Sequence, residues 1–261
     1  MNYSTIIPNR SVQTVVECFW VVDGVETEQQ KIIPDGFPEI IFHFADPYLI
    51  FDSDGNSEMQ QRVLVSGQLS RPIRLQPCGR SDVFGIKFKP TGIWKLLGLD
   101  MSTVRDEVVG LTDNESLAAL HEELKPLSSE ERVRCVEDFI LMRLKYSEPD
   151  ETDAMVSTIE NHKGNVSIEE LCHAHHVTPR TLQRIFQQQI GITAKQYARI
   201  VRFKTVYALL QKPSLTKSDS IFLSGYFDQP HFNKEFREFT EENPEKWFSG
   251  PNSFSNFFMN R

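Results

Sequence analysis

Five residues, Cys172-His-Ala-His-His176, place one thiol and three imidazoles in a single short stretch. Thiolates and imidazoles both bind zinc-like ions, and Cys172 with His175 or His176 could chelate one from a single helical face. The other cysteines, Cys18, Cys78 and Cys135, stand tens of residues apart, and no C-x-x-C occurs. Neither a disulfide framework nor a cysteine-rich zinc module is expected; the four read as reduced cytoplasmic thiols. A second candidate is Glu39-Ile-Ile-Phe-His43, where strand alternation would set Glu39 and His43 on one face, with Asp35 nearby. A structural role is the first reading there, an effector pocket the second and a metal site the third. Trp20, Phe37, Phe42 and Trp94 could line an apolar pocket, although such aromatics more often form core. Catalytic signatures are missing: no G-x-G-x-x-G, P-loop, G-x-S-x-G or H-E-x-x-H occurs, and His121-Glu-Glu-Leu-Lys125 lacks its second histidine. No catalytic residue, metal ligand set or cofactor is assigned, and a non-enzyme is expected.

A third group of residues points to a polyanion. Net charge is -8, but residues 151–261 hold 13 Lys and Arg against 12 Asp and Glu, whereas residues 1–150 hold 15 against 24. From Thr178 to Lys212 there are seven cations (Arg180, Arg184, Lys195, Arg199, Arg202, Lys204, Lys212) and no acid. Such a run fits nucleic-acid phosphate. Arg180, Gln183, Arg184 and Gln187 fall at i, i+3, i+4 and i+7, one exposed stripe of a helix, with Leu182, Ile185 and Phe186 as its core side. Arginine can fork onto guanine and glutamine onto adenine, so the stripe has the chemistry to read bases.

The elements that must hold these groups divide the chain in two, as its 261 residues suggest. From Val12 to Phe88 short runs rich in Val, Ile and Phe, such as VVECFWVV, EIIFHFA, RVLVSG and DVFGIKF, are separated by turns at PDG and DSDGN. An antiparallel β barrel or sandwich-like module is expected, closed by a short helix at Thr91–Leu97 and followed by helices at 114–124 and 129–146. This makes residues 1–147 a β-rich sensing or dimerisation module, with Ser147 to Asp153 as linker. Everything beyond reads helical, so the fold class is α+β with two domains, the second, residues 150–252, all-α. No stretch is apolar enough for a membrane span and no export signal is visible, so a cytoplasmic location is expected.

Within the helical part, Thr178–Tyr197 aligns with Asp228–Trp247 at an offset of 50 residues: Leu182 pairs with Phe232, Phe186 with Phe236, Tyr197 with Trp247 and Arg184 with Lys234. Thr178 and Asp228 are capping residues, and a shorter helix precedes each copy, the first opened by the Ser167/Glu170 capping box. The pattern predicts two helix-turn-helix units, at about 167–190 and 217–240.

These residues resemble the AraC/XylS family of transcription regulators, through VTPRTLQRIF, GITAKQY, GYFDQPHFNKEF and NPEKW. The N-terminal FWVVDG, IIPDGFPEIIF and GIKFKPTGIWKLLG are similar to a β-rich domain of poorly understood function found before such DNA-binding domains. The resemblance implies a bacterial, sequence-specific DNA-binding regulator with double-stranded DNA as partner. Its base contacts would be Arg180, Gln183 and Arg184, with Thr181 and Gln187 beside them, and Gln229, Pro230, His231, Asn233 and Lys234 in the second unit. A small-molecule effector or homodimerisation at the front module, and contact with RNA polymerase, are further partners of this kind of protein. Lys234 stands where arginine is usual, and residues 213–250 hold four cations against seven acids, so an unequal grip dominated by the first unit is expected. In the family frame Cys172 takes a small buried position, His173 and His175 fall toward solvent or phosphate, and His176 occupies a turn position usual for glycine. Two alternatives stand beside this reading: a DNA-alkyl repair or response protein, which would need clustered cysteines, and a catalytic or metal-binding β-barrel with an attached helical domain.

Overall fold

The computed structural model describes all residues except 53, 145–148, 251–252 and 260–261. Ten strands precede the helical half: β1 (Asn2–Ile6), β2 (Val16–Val25), β3 (Gln30–Ile32), β4 (Glu39–His43), β5 (Tyr48–Phe51), β6 (Ser57–Met59), β7 (Val63–Ser66), β8 (Ile73–Pro77), β9 (Arg80–Phe88) and β10 (Val108–Gly110). They form an antiparallel six-stranded sheet, β1-β2-β9-β4-β7-β10, and a second antiparallel sheet, β3-β8-β5-β6. The module is therefore sandwich-like, not a closed barrel. Strand alternation sorts the large sheet into two cores: Phe19, Val21, Ile40 and Phe42 pack on the helix side, while Trp20, Val22 and Ile41 join Tyr48 and Leu75 of the smaller sheet. Strands β1, β3 and β6 carry little apolar pattern and β10, though apolar, is only three residues long, and for those reasons the sequence does not announce them.

On the helix side lie α1 (Gly92–Leu97), a 3₁₀ helix (Met101–Val104), α2 (Glu115–Leu124) and α3 (Ser129–Arg143). The last is opened by a capping box between Ser128 and Glu131. It ends at Arg143, short of the expected Tyr146, which with Ser147 lies outside the described residues. The expected linker is corrected at its far end. Asp150 accepts from the Thr152 and Asp153 amides and Asp153 reciprocates, so Glu151–Asp153 are the first turn of α4 (Glu151–Asn161). Acids clustered at a helix start complement its dipole, which is what made the segment look like a solvated linker.

The second half continues with α5 (Ile168–Ala174), α6 (Pro179–Gln189), α7 (Ala194–Leu210), α8 (Lys217–Leu223), α9 (Gln229–Thr240), α10 (Pro244–Ser249) and α11 (Ser253–Met259). Their core is aromatic: Phe186, Tyr197, Phe203, Phe232, Phe236 and Trp247 are almost fully buried. Ile33, from the N-terminal module, is part of that same core. The two halves also meet through Lys31, which donates to the Thr240 carbonyl (2.9 Å) and pairs with Glu242 (3.1 Å), and through Lys95 and Thr91, which both bond Asp153. At Gly191, where φ is +97°, a Cβ would lie 2.7 Å from the Met101 carbonyl oxygen, so only glycine lets the α6–α7 turn sit against the 3₁₀ helix.

Candidate nucleic-acid interface

The first reading unit is built by local chemistry. The Ser167 hydroxyl accepts from the Glu170 amide while Glu170 reaches back to the Ser167 amide, starting α5. The chain leaves that helix through His176, whose φ of 52° is the left-handed turn that imidazole tolerates better than most side chains. Thr178 then caps α6 by accepting from the Thr181 amide, and Pro179 occupies the first turn. Leu182 and Phe186 are buried, whereas Ile185 is half-buried. Arg180, Gln183 and Arg184 are exposed and Gln187 half-exposed, so the stripe faces outward. Thr181 is half-buried with its hydroxyl 3.0 Å from that of Thr178, so its side chain serves the cap. The stripe shares a surface groove with Asp100 and Ser102 of the N-terminal module.

The second unit repeats the construction. Asp228 caps α9 by accepting from the His231 amide, with Phe232 and Phe236 buried beneath. Gln229, Pro230, His231 and Lys234 are exposed, and His231 stacks its ring edge on Tyr226 at 5.3 Å. Asn233 is half-buried, and its Oδ1 has no hydrogen-bond partner among the described residues. Sequence reasoning missed Arg237. It is exposed beside Pro230, Asn233 and Lys234, at the position that the 50-residue offset pairs with Gln187, so the register itself held the signal.

Three of the seven cations in the acid-free run are not available to phosphate. Arg199 donates to Glu235 (2.6 Å) and also bonds Glu238, and Arg202 reaches Glu235 at 3.1 Å. Burial pushes the Glu235 carboxyl up, but the bonds from Arg199 and Arg202 outweigh it and hold it below its ordinary value. The Lys204 ammonium lies 4.0 Å over the Phe37 ring, and burial pushes its pKa down. Arg180, Arg184, Lys195 and Lys212 remain exposed.

The CHAHH stretch separates by function. Cys172 is buried in the helical core and His173 is exposed. His175 does not point to solvent as expected: its Nε2 lies 2.9 Å from the Thr158 hydroxyl and ties α5 to α4. Among the described residues no group of three or more His, Cys, Asp or Glu converges as a metal site.

A cavity of about 50 Å³ lies between the two sheets of the N-terminal module, lined by Trp20, Ile33, Asp35, Phe37, Glu39, Ile41, His43 and Tyr48 among others. Glu39 and His43 do share this face; of the four aromatics considered from sequence, Trp20 and Phe37 line it, whereas Phe42 and Trp94 pack in the helix-side core. Burial pushes the Glu39 carboxyl up to about 7 against the pull of Lys87 and the Trp20 indole. Lys87, itself buried, bonds Asp35 and lies 3.5 Å from Glu39; these carboxylates raise its pKa despite the burial. Burial also holds His43 down at about 4, so its ring is neutral.

Comparison with known proteins places both halves. Residues 171–259 match a family described as a helix-turn-helix domain, and residues 4–110 a domain of unknown function, DUF6597. The HTH-type transcriptional activator RhaR of Escherichia coli (strain K12) is 32% identical over 85 residues, 33% of this chain and 30% of that protein. RhaR of Cronobacter sakazakii is 30% identical over 80 residues, covering 31% and 28% of the two chains. The chain thus spans less than a third of these relatives' length. Among solved structures, ToxT from Vibrio cholerae aligns over 99% of both chains with a TM-score of 0.50 at 11% identity. ToxT from Vibrio cholerae O395, bound to (E)-4-(8-methylnaphthalen-1-yl)but-3-enoic acid, aligns over 100% of both at 0.50 and 10%. At such identity the likeness is one of fold. Duplicated, capped helices behind a domain of unknown function are thus what residues 171–259 and 4–110 present, and the former carry a helix-turn-helix domain.

Proposed function

We propose that this protein is a sequence-specific DNA-binding transcription regulator, with residues 150–252 reading DNA through two helix-turn-helix units and residues 1–147 receiving a small-molecule signal. The observation that carries it is the outward stripe Arg180, Gln183, Arg184 and Gln187 on a capped helix with no acid among its own residues. Such a helix fits the major groove, where arginine forks and glutamine amides distinguish bases. The second unit offers Gln229, Pro230, His231, Asn233, Lys234 and Arg237 on α9. A ligand held by the structurally similar ToxT supports an effector-controlled reading, and so does the cavity between the sheets. Among the described residues no helix is long and apolar enough to cross a membrane.

Selection of bound sequences from a random duplex library tests the proposal. Recovery of a motif with two conserved blocks is expected; recovery of unrelated sequences, with binding that depends only on salt, would remove the base-reading role.

A further inference from the structure

The cavity between the sheets has a chemical polarity that narrows what can enter it. At one end Glu39 faces Lys87, but Lys87 already bonds Asp35, so two carboxylates share one ammonium. Beyond Phe37, Lys204 adds one positive charge, and Glu17 and Glu160 add two negative ones acting on it. The ensemble keeps a negative surplus. At the other end His43 is 1% exposed; its Nε2 donates to Gln60 Oε1 at 3.1 Å, which leaves Nδ1 as an acceptor, and that atom has no partner among the described residues. A buried acceptor without a donor is costly and rare enough to ask what completes it. Between the two ends the walls are apolar, with Trp20, Ile41 and Leu75 prominent. Glu39 and His43 lie four residues apart on β4, roughly 13 Å along the strand. The cavity that both side chains line is small, about 50 Å³.

We propose that this cavity binds a slender primary amine, its ammonium head against Glu39 and an N–H or O–H donor at its far end on His43 Nδ1. This rests on the effector-controlled reading above and gives the effector a class. A carboxylate ligand is disfavoured because it would meet Glu39 and Asp35 with their single ammonium already engaged. The occupied state has a path to the reading helices. Ile33, in the cavity wall, is packed in the helical core, Gly36 lies against Tyr197 and Ile200, and Phe37 lies under Lys204. Tyr197, Ile200 and Lys204 are on α7, the helix that joins the two reading units. Docking an ammonium beside Glu39 also expels the proton that the carboxyl holds near neutrality, so binding releases protons and tightens as pH rises through about 7. The other groups facing Glu39 are Lys87, Asp35 and Trp20, and those facing His43 are Gln60, Arg62, His121 and Tyr48.

The test uses the full chain with linear amino alcohols of about four to eight methylenes, a length set by the strand spacing, and ω-hydroxy acids of matching length. Calorimetry in two buffers of different ionisation enthalpy should show amino-alcohol binding with proton release, and little or no hydroxy-acid binding. Glu39→Gln should weaken the amino alcohol by at least about tenfold, or about 1.4 kcal/mol. His43→Leu should erase its advantage over an alkylamine of equal length. Hydroxy acids binding as tightly as amino alcohols, an unchanged affinity in folded Glu39→Gln, or no binding by any probe would each overturn the proposal. A DNA titration without probe separates the two readings: specific DNA binding without amine binding sinks only the ligand class, whereas amine binding without DNA binding sinks only the regulator.

Discussion

The two reading units share one construction and differ in what surrounds them. Between residues 213 and 250 acids outnumber cations by seven to four, which suggests a weak second grip. The structure redistributes that charge. Glu235 and Glu238 hold Arg199 and Arg202 of α7, so these acids stabilise the joint between units and remove two cations from the supply credited to the first. On the stripes themselves the contest is closer: two arginines on α6 against Lys234 and Arg237 on α9. The larger contrast lies elsewhere. The α6 stripe shares its groove with Asp100 and Ser102 of the N-terminal module, whereas the surface beside Pro230, Asn233 and Arg237 is lined by α9 alone. A charge tally along the chain measures neither effect.

The sharpest break comes at the joint. Glu235 is 3% exposed, and truncating it would strand two guanidiniums. Glu235→Ala should destabilise the helical half by roughly 3 kcal/mol, read as a lower urea midpoint, and should weaken DNA binding through lost alignment of α9 with α7. If the midpoint barely moves, the acids of the second unit are surface charges after all. Next in size is the grip itself. Arg184→Ala should cost about 1–3 kcal/mol in operator affinity and relax specificity at its base pair. Lys234→Ala should cost less, because an ammonium acts as a point charge and not as a fork. Equal losses from the two would end the idea of an unequal grip. Arg237→Ala should lower the slope of log affinity against log salt by about one unit if it meets phosphate. A loss confined to one base position would instead make it a reader.

Much of the helical half was legible because its signals are local. The Ser167/Glu170 box, the Thr178 and Asp228 caps, the left-handed His176 and the buried Leu182, Phe186, Phe232 and Phe236 each depend on neighbours a few residues away. The fate of Arg199 and Arg202 was not legible, since their partners lie more than thirty residues further along the chain. In the front module, period-two alternation put Glu39 and His43 on one face, and the same alternation sends Phe42 to the other. The sequence offered no sign that Lys87 would arrive from β9 to meet Glu39, or that Ile33 would leave its own domain's core for the other. The misread linker has a simple cause: an acidic helix start and a solvated linker have the same composition and differ only in whether the first acid caps.

The smallest effect tests the contrast that sequence could not show. Asp100 opens the 3₁₀ helix by accepting from the Ser102 amide, and it stands on the rim of the groove that holds Arg180 and Arg184. A duplex laid on α6 brings phosphates toward that carboxylate, and an exposed charge at such range is worth at most about 1 kcal/mol, less at high salt. Asp100→Asn keeps an acceptor for the cap while removing the charge. It should therefore strengthen DNA binding by up to about fivefold at low salt, fading as salt rises, with no change in the urea midpoint. A matching neutralisation beside the second unit, Glu245→Gln, should do clearly less, because Glu245 pairs with Lys217 and is not among the residues lining the α9 surface. Were the two substitutions to act alike, the N-terminal module would be a bystander to the first unit, and the difference between the units would reduce to their side chains alone.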